Sequence, residues 1–241
     1  VKINKVFDYD DFDSDELQPY RNLFGGHTRK TWENLMLCYG ADALQCGGRA
    51  LGLGCLKEAL MFVYANKFES VIATDRAYYP GKYWGKQHYD VDELYQYAKI
   101  SYPDSSITFK AMDMKDIEFD DETFDYIWSS SSVEHVGLLP DVVKVFTEID
   151  RVLKPNGICG ITTEWNLKPT DTIIKFANVL CFDQNVLDSI DKATRLTLVS
   201  DLSVWQSDNP HNREKAFYRG KTNHGTRPTD YTSASIFWRK E

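Results

Sequence analysis

From Arg49 to Leu180 the chain alternates short, almost wholly apolar runs with stretches of helical periodicity. This alternation constrains the fold more than any other feature. The runs "GRALGLG", "SVIATD", "ITFKAMD", "FDYIWSSS" and "GICGITTE" read as strands. The stretches "KEALMFVYANK", "VDELYQYAKI", "DVVKVFTEIDRVL" and "DTIIKFANVL" read as helices, the third stopped at "KPNG" by Pro155 and Gly157. Strands apolar on both faces belong in a parallel sheet covered on each side by helices. An amphipathic helix with Trp32, Leu35 and Met36 at helical spacing precedes the alternation, and the tail adds strand-like "TRLTLVS" and "TSASIFWRK".

The remaining bulk features exclude several classes. With 241 residues, 42% of them hydrophobic, the chain can bury one sizeable core, so one domain spanning 1–241 is expected. Within it, 1–45 is a helical lead-in, 46–165 the core, and 166–241 an additional helix, loops and final strands. A formal net charge of −8 argues against nucleic acid as the main partner. No apolar run is long enough for a membrane span. The N-terminus lacks both a starting Met and a signal-peptide pattern, as in a processed chain or part of a longer polypeptide. Five scattered cysteines without a C-x-x-C pair argue against zinc and disulfides and point to a reducing, cytoplasmic setting. No spacing of acidic residues or histidines singles out a metal site.

In an open parallel sheet, ligands sit beyond the carboxyl ends of the strands. The residues found there are Gly52, Gly54 and Cys55 after the first strand, Asp75 and Arg76 after the second, and Asp113 and Met114 after the third. After the fourth come Ser129 to Ser132, Glu134 and His135. Glycines in a turn admit a ligand close to the backbone, and a carboxylate ending the second strand accepts hydrogen bonds from ribose hydroxyls. Each residue also has an ordinary structural reading as packing, cap or core. The combination, two strand-end carboxylates beside a glycine turn, is what points to a ligand.

The stretch "MDMKDIEFDDETFDYIWSSSSVEHVG" followed by "FTEIDRVLKPNGICGITTE" resembles the central half of a class I S-adenosylmethionine-dependent methyltransferase of the type 11-like kind. The resemblance implies a Rossmann-like three-layer sandwich, with a seven-stranded, mostly parallel sheet whose last strand is antiparallel. It implies S-adenosyl-L-methionine as cofactor. Gly52, Gly54 and Cys55 would face its methionine portion, and Asp75 the ribose with Arg76 beside it. Asp113 would meet the adenine amino group, Met114 the ring, and Ser129 and Ser130 the sulfonium. The family's glycine turn reads G-x-G with an acid two positions before its first glycine. Here Gly52 stands for that acid and Leu56 for the second glycine, and Glu58 is the candidate replacement carboxylate for the cofactor's ammonium group.

Methyl transfer from a sulfonium is an in-line displacement that depends on positioning, and a hydroxyl acceptor gains from a base. His135 is the candidate general base. Glu134, Trp165 and Asn166 are candidate acceptor contacts, and the aromatic "YYPGKYWGKQHY" and basic "HNREKAFYRGKTNHGTRP" stretches could flank the acceptor. The expected acceptor is a small molecule or saccharide, methylated on a hydroxyl oxygen. The alternative is a non-catalytic Rossmann-like domain whose degenerate turn serves a binding or interaction role. An NAD-dependent oxidoreductase is disfavoured because G-x-G-x-x-G is missing.

Overall fold

The computed structural model describes residues 1–79, 90–103, 106–167, 175–176, 179–212 and 231–241. In chain order the elements are β1 (Lys5–Val6), α1 (Gln18–Arg21), α2 (Arg29–Ala43), β2 (Arg49–Leu53), α3 (Leu60–Ala65) and β3 (Ser70–Asp75). They continue with α4 (Val91–Ser101), β4 (Ile107–Ala111), β5 (Phe124–Ser130), α5 (Leu139–Val152) and β6 (Leu153–Asn166). The last are β7 (Lys175–Phe176), β8 (Val179–Leu180), α6 (Gln184–Ala193), β9 (Leu196–Leu198) and β10 (Tyr231–Lys240).

The main sheet runs β1-β10-β6-β5-β2-β3-β4, with β9 also paired to β10. Strands β2 to β6 are mutually parallel, and β10 inserts antiparallel to β6 from Tyr231↔Asn166 to Arg239↔Ile158. This is the expected Rossmann-like sheet. It counts eight strands rather than seven because two short segments, β1 and β9, share the far edge of β10.

Helices cover both faces. One layer buries Trp32, Leu35, Met36, Tyr64, Trp128 and Phe237 between the sheet and α2 to α4. The other buries Val142, Val145, Phe146, Ile149 and Trp238 under α5 and α6. Their spacing explains α5: positions 142, 145, 146, 149 and 152 form one apolar stripe, all fully buried. The helix ends at Val152 and the chain enters β6 at once, three residues before the expected proline stop.

One sequence expectation needs correction. The stretch "DTIIKFANVL" was expected as a helix, but its described residues form the antiparallel pair β7 and β8. Its β-branched and aromatic residues suit strands as well as a helix. The helix in this region is α6, capped by the Asp183 side chain on Val186 N–H. The expected stretches at 78–89 and 211–228 lie almost wholly outside the described residues.

Candidate functional site

Beyond the carboxyl ends of β2, β3 and β4 lies a cavity of about 540 Å³. Its floor is the turn after β2. Gly54 has φ +72°, in the left-handed region, and a Cβ there would stand 2.6 Å from Ser132 Cβ and 3.0 Å from Met114 Cε. Leu56, at the position of the family's second glycine, also has a left-handed backbone, with φ +45°. Its N–H donates to Asp75 Oδ2 at 3.0 Å, and its carbonyl accepts from the Tyr78 hydroxyl. The turn thus keeps a glycine-like shape without the glycine, held by two hydrogen bonds.

Asp75 ends β3 and is 8% exposed. Its other oxygen, Oδ1, accepts from Ala77 N–H at 2.7 Å, so both oxygens are fixed in orientation while retaining lone pairs toward the cavity. Burial raises its carboxyl above the usual range, against the lowering effect of these two N–H donors. Asp113 faces it from the loop after β4. Its Oδ1 accepts from Lys115 N–H at 3.0 Å, and its Oδ2 lies 3.6 Å from Arg76 Nε. Met112, Met114, Tyr79 and Val136 supply apolar wall, and His135 closes the side next to β5.

Of the residues expected from sequence, Gly54, Asp75, Arg76, Asp113, Met114 and His135 line this one cavity. The others stand behind its wall. Gly52 makes room for packing, since a Cβ there would come 2.3 Å from the Trp128 ring and 2.4 Å from Cys55 Sγ. Cys55 is buried beside it. Glu58 accepts from the Trp128 indole N–H at 2.9 Å, and desolvation pushes its carboxyl up to about 7.

The serine run divides differently from the expectation. Ser129 Oγ donates to Leu53 O at 2.8 Å, and Ser130 Oγ is 2.7 Å from Lys30 Nζ, so neither side chain joins the wall. The serines in the wall are Ser131 and Ser132, because β5 runs through Ser130 before the chain turns. Ser131 takes φ +51°, and Ser132 Oγ donates to Gly54 O at 2.8 Å.

The helix α2 supplies what sequence reasoning missed. Its N-terminus lies over the ends of β5, β6 and β10. Arg29 Nη2 is 3.1 Å from Glu164 Oε1, and Lys30 Nζ is 3.3 Å from Glu33 Oε2. Glu33, 1% exposed, accepts from Ser131 Oγ at 2.8 Å and from the Ser233 hydroxyl. Burial pushes the Glu33 carboxyl up, but Lys30, Arg29 and the two hydroxyls outweigh it and hold it below the ordinary value. Glu134, Trp165 and Asn166 are all buried nearby, outside the cavity wall. Trp165 bridges to Phe182, which extends the sheet end. The only available signal for the α2 contacts was "RKTWE", two cations and an acid on one helix turn, which reads equally as a solvated face.

Among the described residues, no cluster of His, Cys, Asp and Glu has metal-binding geometry, and no helix is long and apolar enough to cross a membrane.

Residues 51–161 match the model of a methyltransferase domain family. Among curated proteins, the sterol 24-C-methyltransferase erg6 of Schizosaccharomyces pombe is 30% identical over 108 residues, 44% of this chain and 28% of that protein. The Kluyveromyces lactis sterol 24-C-methyltransferase is 34% identical over 77 residues, 32% of this chain and 20% of that protein. The match therefore spans about a quarter of the length of these relatives. Among solved structures, phosphoethanolamine N-methyltransferase 2 of Haemonchus contortus, in complex with S-adenosyl-L-methionine, superposes with a TM-score of 0.62. It is 16% identical, covering 98% of this chain and 60% of that one. The 4+2 cyclase SpnF superposes with a TM-score of 0.61 at 17% identity, covering 86% and 81%. At these identities the structural likeness is one of fold, and the fold alone carries more than one chemistry.

Proposed function

We propose that this chain, whose core is a class I methyltransferase domain, moves a methyl group from S-adenosyl-L-methionine to a hydroxyl oxygen of a small-molecule or saccharide acceptor. The observation that carries this reading is the cavity bounded by Asp75, Asp113 and the Gly54 turn. Its volume lies within the range of small-molecule sites, roughly 300–1,000 Å³. The residues present suit the cofactor. Gly54 presents bare backbone to the cavity, the missing Cβ making room for Ser132 and Met114 in the same wall, and two carboxylates stand at the ends of separate strands as acceptors for hydroxyl and amino groups.

When bound, the cofactor supplies an electrophilic methyl carbon on a sulfonium. The chain's own work is binding and orientation. Asp75 would hold the ribose hydroxyls, its carboxylate fixed by Leu56 and Ala77. Asp113 would hold the adenine amino group, with Met114 against the ring. Ser131 and Ser132 take the role expected of Ser129 and Ser130 at the end of β5. His135, in the same wall, would accept the proton of the hydroxyl acceptor.

Calorimetric titration with S-adenosylhomocysteine tests the cofactor site, and methyl-donor turnover with candidate alcohols, amines and sterols tests the acceptor. Labelled methyl recovered at oxygen supports the reading. Labelled methyl found only at carbon or nitrogen removes the hydroxyl assignment and leaves the cofactor site standing.

A further inference from the structure

The cavity turn at Leu56 holds a backbone conformation that its own residue type disfavours. An L-residue with a branched apolar side chain rarely takes the left-handed region. Among the described residues Gln45, Glu122, Ser131 and Asn156 also do so, and all are polar; Leu56 is the apolar member of the set. The turn just before it is anchored by main chain, since Gly54 and Cys55 N–H both donate to Thr74 O, at 2.9 and 3.0 Å. Leu56 has side-chain anchors instead. Its N–H donates to Asp75 Oδ2 at 3.0 Å, and its carbonyl accepts from the Tyr78 hydroxyl.

Both anchors come from one segment, Asp75 to Tyr78, and they grip the peptide planes on either side of the Leu56 Cα. Each plane is rigid, so fixing both fixes φ and ψ at that residue. The segment is itself locked. Asp75 Oδ1 accepts from Ala77 N–H at 2.7 Å, and Tyr78 is 3% exposed, its ring edge-on to Phe109 at 6.2 Å. Leu56 and Asp75 line the cavity, and Tyr78 stands behind its wall. Without the hydroxyl, the Leu56 carbonyl loses its donor and the residue can relax toward the right-handed region. Its N–H then turns away from Asp75, and that carboxylate loses an N–H donor together with its fixed aim. A glycine at this position would need no such hold, because the left-handed region costs glycine nothing.

We propose that Tyr78 is a positioning residue that stands in for the missing glycine: its hydroxyl holds Leu56 in the left-handed turn and so keeps Asp75 aimed into the cavity. That the aimed carboxylate serves a ribose rests on the methyl-transfer reading.

Amide hydrogen exchange at residue 56, followed by NMR on the full chain without ligand, reads the tie directly. Tyr78→Phe keeps the ring and removes only the hydroxyl. Its Leu56 N–H should exchange about tenfold faster or more than in the parent. The Phe182 N–H, which donates to Glu164 O at 2.7 Å in the other core layer, should stay within about twofold. Leu56→Gly supplies the rescue: adding Tyr78→Phe to it should change exchange at residue 56 by no more than about threefold. S-adenosylhomocysteine affinity should follow the same order. It should fall about fivefold or more in Tyr78→Phe, and differ by no more than about twofold between Leu56→Gly and the double variant. Equal exchange at Leu56 in the parent and Tyr78→Phe overturns the proposal. So does equal acceleration at Phe182, which marks general packing, or a double variant that loses as much as Tyr78→Phe does. The expected exchange order in a parent that binds no S-adenosylhomocysteine supports the tie and removes the methyl-transfer reading instead.

Discussion

Replacing Gly54 with alanine attacks the turn on which the cavity rests. A left-handed φ costs an L-residue roughly 1–2 kcal/mol relative to glycine. The new Cβ would also stand 2.6 Å from Ser132 Cβ and 2.8 Å from Ser132 Oγ. Ser132 is not free to swing away, because its hydroxyl donates to the Gly54 carbonyl at 2.8 Å. Overpacking of this kind costs about 1–3 kcal/mol. A destabilisation of about 3 kcal/mol follows, and at this chain length each kcal/mol lowers the melting temperature by about 2–4 °C. Gly54→Ala should therefore melt roughly 6–12 °C below the unaltered protein. It should also bind S-adenosylhomocysteine at least about tenfold more weakly.

Two comparisons isolate the cause. Gly52→Ala meets Trp128 and Cys55 on the core side, so it should lose similar stability while the cavity wall keeps its composition. Gly47→Ala has nothing within 4 Å of its Cβ and should melt within about 2 °C of the parent. Thermal melts followed by calorimetry read all three. A Gly54→Ala protein with unchanged melting and unchanged ligand affinity would refute the steric reasoning.

Three further outcomes are expected. Glu33→Gln should destabilise by about 3 kcal/mol in a denaturant melt, because it leaves Arg29 and Lys30 beside a neutral group in a buried site. His135→Ala should bind S-adenosylhomocysteine within about twofold of the parent yet lose about a hundredfold or more in turnover on a hydroxyl acceptor, and full turnover would remove it as the base. The folded Glu58 carboxyl sits near 7, above its unfolded value of 4.5, so its contribution is fully present below pH 4.5 and is lost as pH rises through 7. Stability curves of the parent and Glu58→Gln should thus differ in slope across pH 4.5–7, by at most about 3 kcal/mol in total, and parallel curves would contradict the assignment.

The parallel core was legible in the sequence because its signal is local. Each of β2 to β5 is a short, largely apolar run, with Asp75 ending one of them and Asp113 two residues beyond another. Strand-end position alone was enough to bring both carboxylates to one cavity. The cavity wall takes Ser131 and Ser132 rather than Ser129 and Ser130 because the length of β5 depends on its pairing with β6 through Ser130↔Thr162. No local pattern encodes that register. Glu58 was read as facing a ligand, whereas its carboxyl is taken by Trp128, a partner 70 residues away. The same limit hid α2. Arg29, Lys30 and Glu33 acquire meaning only once β10 has inserted beside β6 and placed Ser233 and Glu164 beneath them. Residues 29–33 also lie outside the matched segment 51–161.

The decisive measurement is a calorimetric titration of S-adenosylhomocysteine into the parent chain, Asp75→Asn and Asp113→Asn. A hydrogen bond to a charged group contributes roughly 1.5–3 kcal/mol. One-site binding by the parent, weakened by about ten- to a hundredfold in each variant, is the expected result. Failure of the parent to bind at about 1 mM, or equal affinity in all three proteins, would contradict an adenosine held between these two carboxylates.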